Sequence, residues 1–449
     1  MFHKILIANR GEIAVRVIRA CRAMGIKTVA VYSVPDRHSL HVYLADESVC
    51  IGPAPARESY LNMNAIVAAA LATGADAIHP GYGFLAENST FSALVREHGI
   101  AFIGPATDVI DRLGNKSQAR TTMAQAGVPV IPGSPAPLHD ASEALIDARA
   151  IGWPIMVKAS SGGGGKGMRL SESADDFIDM FNVAQRESVA AFADDTMYLE
   201  RCVINPRHIE IQIIADEYGN CAALGERDCS IQRNHQKLIE ESPSPFVDEE
   251  LRARMCAAAI QAVKAAGYTS AGTIEFLVDL NRNFYFMEMN TRIQVEHPVT
   301  EVVTGVDLIQ EMIRVAAGEH LSFDPADIKM VGHAIECRIN AERPELGFRP
   351  SPGTVTQMHL PGGNGVRVDT ATYDGLEISP YYDSMIAKII THGRDRTEAL
   401  AKMRTALEEM VVVGVYTNLD FQYSILENET FCDGRADTGF VEKFMRGEA

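Results

Sequence analysis

The order of apolar and amphipathic segments in the first hundred residues most constrains the fold. Short apolar runs that suit strands alternate with segments that carry the helical period: KILIA, GEIAVRVIRACRAMG, KTVAVYS, NAIVAAALATG, ADAIHPG, FSALVREHG and AFIGP. Strands that alternate with helices are typical of a parallel sheet with helices on both faces. The sequence therefore predicts a Rossmann-like, doubly wound first domain.

Later segments predict two further domains. The proline-rich stretch PGSPAPLHD follows a helical segment and marks a boundary near residue 132. PIMVKAS, a glycine run, a helix and TMYLERCV then predict a small module, and long alternating segments from residue 204 predict antiparallel strands. We expect an α/β and α+β protein in four parts: a Rossmann-like domain 1–113, a helical linker 114–131, a lid domain 132–203 and a large domain 204–449.

Charge and composition exclude several classes of partner. The net charge of −18 argues against binding of nucleic acid or an anionic membrane surface. The chain opens as MFHKILIANRGE, without a basic leader, and no apolar run approaches the roughly 18 residues of a membrane span. The eight cysteines form no C-x-x-C pair, so we expect buried, reduced thiols and a cytoplasmic protein.

Two glycine-rich motifs fail as nucleotide signatures. GYGFLAE, residues 81–87, spells G-x-G-x-x-A, but no acidic strand end follows about 20 residues on, so a turn that needs two glycines explains it better. SSGGGGKG, residues 160–167, is no Walker A loop because Gly167 and Met168 follow Lys166. A flexible linker stays open. The strand-like flanks favour a hairpin loop whose amide groups surround phosphates and which closes as a lid.

The hairpin GTIEFLVDLNRNFYFMEMN suggests a metal site. A turn centred on Asn281 and Arg282 would set Glu275 opposite Glu288 on one face. Two opposed carboxylates repel unless a cation lies between them, and Mg²⁺ prefers such oxygen ligands together with phosphates. The alternative is that each glutamate pairs with its own Arg or Lys on a solvated face.

Two polar ladders extend this pattern. If the second strand continues with period 2, one face carries a set of polar residues: Glu288, Asn290, Arg292, Gln294 and Glu296. A second alternation places Glu336, Arg338 and Asn340 on one strand face. Exposed strands seldom carry such rows, so the ladders predict the floor of an active site. By contrast, the charged stretch containing His235 and Lys237 is by itself only a weak indication of a functional site.

The sequence motifs of this chain together resemble those of the biotin carboxylases of the ATP-grasp superfamily, and the resemblance covers nearly the whole chain. The motifs that carry the resemblance are KILIANRGEIAVRVIRA, DRHSLHVYLADE, HPGYGFLAEN, SGGGGKGMR, ERDCSIQRNHQK, FYFMEMNTRIQVEHPVTE, ECRINAE, PSPG and PYYDSMIAKI. The resemblance implies an ATP-grasp fold with a preceding Rossmann-like domain. It also implies that SSGGGGKG is the lid over the ATP phosphates.

The resemblance assigns roles to individual residues. It implies ATP contacts by Lys116, Lys158, Gly164, Gly165, Glu200, Arg201, Cys202, Val203, His208, His235 and Glu275. It implies that Mg²⁺ or Mn²⁺ binds Glu275, Glu288 and Asn290, that bicarbonate binds Lys237, Arg292, Gln294 and Val295, and that biotin contacts Tyr82 and Arg338. Glu296 matches the general base, with Arg292, Arg338 and Lys237 as further catalytic residues. Asn115, Asn234 and Lys166 depart from the usual family residues beside these positions.

The implied reaction is carboxylation of biotin with ATP and bicarbonate through carboxyphosphate. No biotin-attachment motif is found, so we expect biotin on a separate biotin carboxyl carrier protein. The resemblance also implies a homodimeric enzyme that works with a separate carboxyltransferase subunit. By family analogy the final acceptor is acetyl-CoA, in fatty acid synthesis; pyruvate or another acyl-CoA is the alternative. Another ATP-grasp ligase, which joins a carboxylate to an amine, and a nucleotide-binding regulatory module are the competing hypotheses.

Overall fold

The computed structural model describes residues 1–159, 167–192 and 194–449, without the side chains of residues 116, 117, 191 and 192. The chain divides into two compact units. The first consists of Met1–Val128, Arg207–Phe276 and Glu288–Ala449, and the second of Pro129–Pro206 and Leu277–Met287. The predicted four-part division with boundaries at 113, 131 and 203 stays a prediction.

The N-terminal part of the first unit contains the predicted parallel sheet. Its strands run in the spatial order β3-β2-β1-β4-β5: β1 Lys4–Ile7, β2 Lys27–Ser33, β3 Glu47–Gly52, β4 Ala77–His79 and β5 Ala101–Phe102. Its helices are α1 Gly11–Ala23, α2 Leu40–Leu44, α3 Met63–Thr73, α4 Ser89–Glu97, α5 Thr107–Gly114 and α6 Lys116–Gln125. Asn62 and Asn88 accept backbone N–H bonds at the starts of α3 and α4. The doubly wound prediction is confirmed.

The second unit is a small sheet with two helices. Its elements are α7 Ala141–Ile151, β6 Ile155–Ala159, β7 Met168–Ser171, α8 Phe177–Phe192 and β8 Met197–Arg201, and the strands pair antiparallel in the order β7-β6-β8. A core that includes Phe177, Phe181 and Leu199 joins the helices to the sheet. Gly164, Gly165 and Lys166, predicted for the lid, lie outside the described residues, as does the Lys116 side chain.

From residue 207 onward the chain is built on a large sheet. The first elements are β9 Arg207–Ala215, β10 Cys221–Arg233, β11 Gln236–Ser242, α9 Glu249–Ala266, β12 Ser270–Val278, β13 Phe284–Asn290, α10 His297–Thr304 and α11 Leu308–Ala316. They are followed by β14 His333–Asn340, β15 Glu342–Arg343, β16 Arg349–Pro350, β17 Gly353–Thr354, β18 Gln357–His359, β19 Val366–Thr370, β20 Glu377–Ile378 and β21 Met385–Gly393. The chain then forms α12 Arg396–Glu409, β22 Val411–Val413, α13 Leu419–Glu427, α14 Glu429–Cys432 and α15 Phe440–Met445. The strands of the large sheet lie in the order β13-β12-β9-β10-β11-β14-β21-β19.

The two faces of strand β14 have different surroundings. Ile335, Cys337 and Ile339 join an apolar core that also contains residues of α12 and α13. Because side chains alternate along a strand, Glu336 and Arg338 lie on the opposite face. The packing of one face therefore leaves the other free to carry a buried row of charged residues.

Three local predictions are tested directly. Gly81 and Gly83 have φ of 62° and 68°, so GYGFLAE is the predicted two-glycine turn. All eight cysteines, which lie among the described residues, are unpaired, but Cys50 is exposed and corrects the expectation of general burial. Among the described helices, none combines the length and apolarity needed to cross a membrane.

Candidate active site

A single buried ammonium joins three carboxylates in the first unit. Lys237, near the start of β11, donates to Glu210 Oε2 over 2.6 Å, to Glu275 Oε1 over 3.1 Å and to Glu296 Oε1 over 2.5 Å. Burial alone would lower the pKa of Lys237, but the acidic groups around it raise that pKa well above its usual value. Lys237 is therefore fully charged, and it draws residues from β9, β12 and the start of α10 to one point.

Glu296 precedes α10 and joins Lys237 to Arg338. Its second oxygen accepts a bond of 3.1 Å from Arg338 Nη2. Burial would raise the pKa of Glu296, but Lys237, Arg338 and Arg227 hold it below the usual range. In this arrangement Glu296 is a carboxylate, ready to accept a proton only once these cations turn toward another anion.

Arg338 is fixed at both its side chain and its backbone. Its Nε donates to Glu240 Oε1 over 2.6 Å, and its carbonyl accepts bonds from Asn418 Nδ2 and Gln422 Nε2 at 3.0 and 2.9 Å. The predicted ladder of Glu336, Arg338 and Asn340 does lie in a regular strand, β14. The guanidinium is thus aimed by two carboxylates from different elements.

Glu275 is the centre of a second group of contacts. Asn290 Nδ2 and Gln294 Nε2 each donate to Glu275 Oε1 over 2.8 Å, and His208 Nε2 lies 3.0 Å from Glu275 Oε2. Burial would raise the pKa of Glu275, but Lys237 and His208 hold it well below the usual range. Glu275 in turn raises the pKa of His208 against the effect of burial.

The predicted polar ladder after β13 is wrong as a strand. Strand β13 ends at Asn290, and residues 291–296 form turns that lead into α10. Gln294 and Glu296 still reach the site, but through the turns rather than through a two-residue period. Arg292 instead donates to Glu87 Oε2 over 2.9 Å and to Asn290 Oδ1 over 3.0 Å.

The centre of the predicted carboxylate hairpin is also displaced by half a residue, which shifts the pairing implied by the turn by one residue. Asp279 N donates to Asn283 O over 2.9 Å, which centres the turn on Asn281, and Arg282 has a φ of 62°. β12 and β13 are neighbours in the sheet as predicted. The displacement means that the predicted register, with Glu275 directly opposite Glu288, does not follow from the turn; Glu288 is half-buried, two residues before Asn290.

The other predicted residues lie in separate places. Tyr82 donates through its hydroxyl to Glu12, whose carboxylate lies 3.2 Å from Lys388 Nζ, and Val295 O accepts a bond of 2.6 Å from that same ammonium. His235 is exposed in the tight turn between β10 and β11. Asn234 and His235, the two residues of this turn, have positive φ, a conformation that asparagine adopts more readily than most residues.

Within the second unit, Lys158 of β6 donates to Glu200 of the paired strand β8. Arg201 is exposed, and Cys202 and Val203, just after the strand, are half-buried. Burial raises the pKa of the Cys202 thiol, so this group is uncharged at neutral pH. Of the predicted ATP contacts that the structure describes in this unit, Lys158 lies on β6, and the others lie at the end of the paired strand β8 and just after it.

Sequence reasoning missed Arg227, a fully buried residue of the site. This side chain is fully buried and contacts Glu210 at 2.5 Å, Gln212 at 2.6 Å and Gln294 at 2.8 Å. The available signal was the alternation of His208, Glu210 and Gln212 along RHIEIQIIA. A strand buried along its whole length with polar residues on one face requires buried partners for them.

Comparison with known proteins agrees with this geometry. The family model described as the biotin carboxylase N-terminal domain matches residues 1–110, that of the carbamoyl-phosphate synthase L chain, ATP binding domain, residues 115–323, and that of the biotin carboxylase C-terminal domain, residues 336–443. Biotin carboxylase 1 of Bacillus subtilis (strain 168) is 55% identical over 445 residues, which cover 99% of each chain. The chain belongs to the biotin carboxylase family. It is accordingly an ATP-dependent biotin carboxylase.

Other relatives extend the comparison. One of the subunits of the pyruvate carboxylase of Methanothermobacter thermautotrophicus is 53% identical, over 100% of this chain and 91% of the relative. A biotin carboxylase complex from Campylobacter jejuni has a TM-score of 0.93 and 49% identity, with 99% of both chains covered. The biotin carboxylase domain dimer of a Hydrogenobacter thermophilus 2-oxoglutarate carboxylase, in complex with MgADP, ADP and bicarbonate, has a TM-score of 0.92 and 48% identity, with 100% and 99% covered. Members of this family therefore serve more than one carboxylase.

Proposed function

We propose that this biotin carboxylase uses bicarbonate and Mg-ATP to carboxylate biotin carried on a separate protein. The observation that carries the proposal is the joining of Lys237, Glu296 and Arg338 by hydrogen bonds in one buried cluster. One general base between two cations suits a reaction that deprotonates one anion and stabilises another.

The first step is activation of bicarbonate, a poor electrophile. Arg292, Lys237 and the segment containing Gln294 and Val295 bind the anion, and Glu296 accepts its proton. A bicarbonate oxygen attacks the γ-phosphorus of ATP, the bond to the β-phosphate oxygen breaks, and ADP leaves. The product is carboxyphosphate, whose C–O bond then breaks to give CO₂ and phosphate.

The second step transfers the carboxyl group to biotin. Phosphate takes the proton from the ureido nitrogen, and that nitrogen attacks CO₂. Arg338 stabilises the negative charge that develops on the ureido oxygen, and Tyr82 contacts biotin. The position of Arg338 beside Glu296 supports this role, because bicarbonate and biotin must meet within one site.

Proton transfer to Glu296 requires its ion pairs to loosen. In the structure Lys237 and Arg338 both contact it, and they hold its pKa low. A bound bicarbonate offers these cations a second anion, so binding would raise the pKa of Glu296 toward that of a useful base. The site thus couples base strength to the presence of substrate.

The residues around Glu275 suit a hard divalent cation. Ligand atoms of His208, Glu210 and Glu275 lie within 4.8 Å of one another, and the lowered pKa of Glu275 keeps it ionised. We assign Glu275, Glu288 and Asn290 as the residues that would hold Mg²⁺ or Mn²⁺. The bound cation would neutralise charge on the ATP phosphates. Asn290 Oδ1, the atom that would bind it, accepts a bond from Arg292 in the structure, so Arg292 must give up this contact.

ATP contacts are assigned to two sets of residues. In the first unit they are Lys116, His208, His235 and Glu275, and in the second unit Lys158, Gly164, Gly165, Glu200, Arg201, Cys202 and Val203. The ion pair of Lys158 with Glu200 supports part of this assignment. It holds the lysine ammonium in position, where phosphate oxygens can replace the carboxylate as its hydrogen-bond acceptor.

We further assign acetyl-CoA as the final acceptor of the complete enzyme and a homodimer as its assembly. The partners are a biotin carboxyl carrier protein and a carboxyltransferase subunit. The Bacillus subtilis relative supports a free-standing subunit of this length. Pyruvate is the second candidate acceptor, and the Methanothermobacter relative favours it.

The primary experiment measures ADP release by the purified chain with Mg-ATP and bicarbonate, with and without free biotin. Strong stimulation by biotin is expected. If the rate of ADP release does not change with biotin but rises with an amine or a carboxylic acid, the chain is another ATP-grasp ligase. Titration with Mg²⁺ should show that Glu275→Gln needs a higher metal concentration for half-maximal activity, with Glu47→Gln on β3 as the control.

A second experiment identifies the acceptor. The chain is tagged in its native host and isolated with its partners, and incorporation of labelled bicarbonate is measured with acetyl-CoA, propionyl-CoA or pyruvate. Labelled malonyl-CoA is the expected product. If label is found only in the carboxylated product of pyruvate, the acceptor is pyruvate and not acetyl-CoA.

A further inference from the structure

Two buried glutamates face each other across the central strands of the large sheet. Glu240 of β11 and Glu336 of β14 are direct partners in the antiparallel register, and both are 0% exposed. Directly opposite side chains have Cβ atoms about 5 Å apart on the same face of the sheet. Two carboxyl groups are therefore held next to each other where water does not reach.

The contacts of the two groups do not balance two negative charges. Glu240 Oε1 accepts a bond from Arg338 Nε, but neither Glu240 Oε2 nor either oxygen of Glu336 has a hydrogen-bond partner in the part of the chain that the structure describes. An isolated buried carboxylate is costly, and a second one beside it adds repulsion. Arg338 contacts Glu240 through both Nε and Nη2, but it cannot neutralise both glutamates because Nη2 also contacts Glu296.

Other charged and titratable groups surround the pair from several elements. They are Arg338 and Cys337 on β14, Lys237 on β11, Lys388 on β21, Glu296 before α10, and Tyr82 in the two-glycine turn. The ammonium of Lys388, the cation on the neighbouring strand, contacts Val295 O and Glu12. Its charge is thus shared with other groups, and the pair is left with more acid than base.

We propose that Glu240 and Glu336 share one proton as a carboxylic acid and carboxylate pair, and that this pair is a positioning element for Arg338. The proton lets the two side chains lie together without two full charges. The single remaining negative charge fixes the guanidinium through Nε and Nη2, and Nη2 also stays within hydrogen-bond distance of Glu296.

The pKa shifts of both groups agree with this arrangement. Burial raises the pKa of Glu240 to about 7, against the effect of Arg338. Burial, with Glu240 beside it, raises the pKa of Glu336 well above its usual value, although Lys388 and Arg338 oppose the rise. Two interacting carboxyl groups titrate as a pair, so one proton stays between them at neutral pH and is lost in alkali.

The catalytic consequence rests on the proposed role of Arg338 toward biotin. A guanidinium that faces two carboxylates and one carboxylic acid has more positive charge left for a ureido oxyanion than one that faces three carboxylates. Loss of the shared proton at high pH would therefore weaken the use of biotin. Binding of ATP should be affected little by this loss.

The shared proton can be observed without any assay of activity. Infrared spectra of the folded protein near neutral pH should show the C=O band of a protonated carboxyl group, and that band should be lost in Glu336→Gln and in Glu240→Gln. The matched control is Glu241→Gln. Glu241 is the buried neighbour of Glu240 on the same strand, but it is paired with Arg396 and His333, and Arg396 helps to lower its pKa to about 2 despite burial. Its replacement should leave the band in place.

Stability gives a second readout that a purely structural role would not reproduce. Glu336→Gln should melt at the same temperature as the parent or higher at alkaline pH, because it removes one member of a repelling pair. Glu241→Gln should melt lower, because it breaks an ion pair. A protonated-carboxyl band that survives in both Glu336→Gln and Glu240→Gln would overturn the shared proton, as would an alkaline loss of stability identical in Glu336→Gln and the parent.

Activity separates the two proposals. In Glu336→Gln the alkaline fall of kcat/KM for biotin should move to higher pH, and KM for ATP should change less than threefold. An unchanged alkaline limb would overturn the positioning role and leave the shared proton standing. If Arg338→Gln carboxylates biotin as the parent does, the proposed function of Arg338 fails, whatever the infrared band shows.

Discussion

Lys237 Nζ lies 2.5 Å from Glu296 Oε1. Glu296, the proposed general base, is therefore hydrogen-bonded to Lys237, a residue proposed to bind the bicarbonate that Glu296 deprotonates. The same ammonium contacts Glu210 and Glu275. Any anion that enters must compete with three carboxylates for this cation. Because of this competition, binding of the substrate anion would free Glu296 from its contact with Lys237. The same holds for Arg338, which also contacts Glu296.

Replacement of Arg338 should separate chemistry from nucleotide binding. In Arg338→Gln, biotin-dependent ADP release should fall about 100-fold or more, the typical effect of removing one donor to a developing oxyanion. Affinity for ATP, measured by equilibrium binding, should change little. The exposed Arg394→Gln serves as the control, and equal losses of ATP binding and carboxylation would remove this role from Arg338.

Arg227 should matter more for stability than any exposed cation. Arg227→Met leaves Glu210 buried beside Gln212 without its guanidinium. Breaking a buried ion pair by removing one partner costs about 3–5 kcal/mol of unfolding free energy. Denaturation with urea measures the loss, and the double variant Arg227→Met with Glu210→Gln should recover part of it. No recovery in the double variant would contradict the ion pair as the cause.

The two glycines of the turn around Tyr82 form a matched pair. An alanine Cβ at position 81 would lie 2.8 Å from Asn9 Nδ2, whereas at position 83 it would meet no described atom within 4 Å. Both changes strain a left-handed backbone by about 1–2 kcal/mol. Only Gly81→Ala also displaces Asn9, which donates to Tyr82 O over 2.7 Å. Gly81→Ala should therefore melt lower than Gly83→Ala and raise KM for biotin; similar values for both would contradict the steric reason.

His79 should make the fold sensitive to acid. Burial lowers its pKa to about 3, so the folded protein does not take up a proton that the unfolded chain binds. The unfolded state then carries more protons below about pH 6.5, and the free energy of unfolding falls by about 1.4 kcal/mol per pH unit as pH decreases toward the folded pKa. His79→Gln should flatten this slope in thermal melts between about pH 7 and about pH 5, and the exposed His98→Gln should not. Equal slopes in both variants would assign the acid sensitivity to other groups.

Much of the fold followed from apolar patterns in the sequence. The parallel sheet from β1 to β5 was predictable because its strands and helices have clear periods and short connections. The two-glycine turn at Gly81 and Gly83 was predictable as well, since left-handed backbone favours glycine.

The errors have specific physical causes. Residues 291–296 have the polar alternation of a strand because a segment of turns, too, can bring alternate polar residues to one side. The hairpin centre was displaced because the Leu280–Asn281–Arg282–Asn283 stretch holds no glycine to mark the left-handed residue, and Arg282 takes that conformation. Arg227 was missed because the polar alternation of β9 indicates that buried partners are needed but does not say which residue on another strand supplies them.

The central ion pairs join residues far apart in the chain: 59 positions separate Lys237 from Glu296, and 98 separate Glu240 from Arg338. Synthesis on the ribosome delivers these residues one after another, at roughly 5–20 residues per second. A nascent chain that ends before residue 338 therefore holds Glu240 and Glu296 without the guanidinium that joins them. Completion of this sheet has to wait for strands β14, β19 and β21, whereas the five strands of the N-terminal parallel sheet have all been synthesised by residue 102.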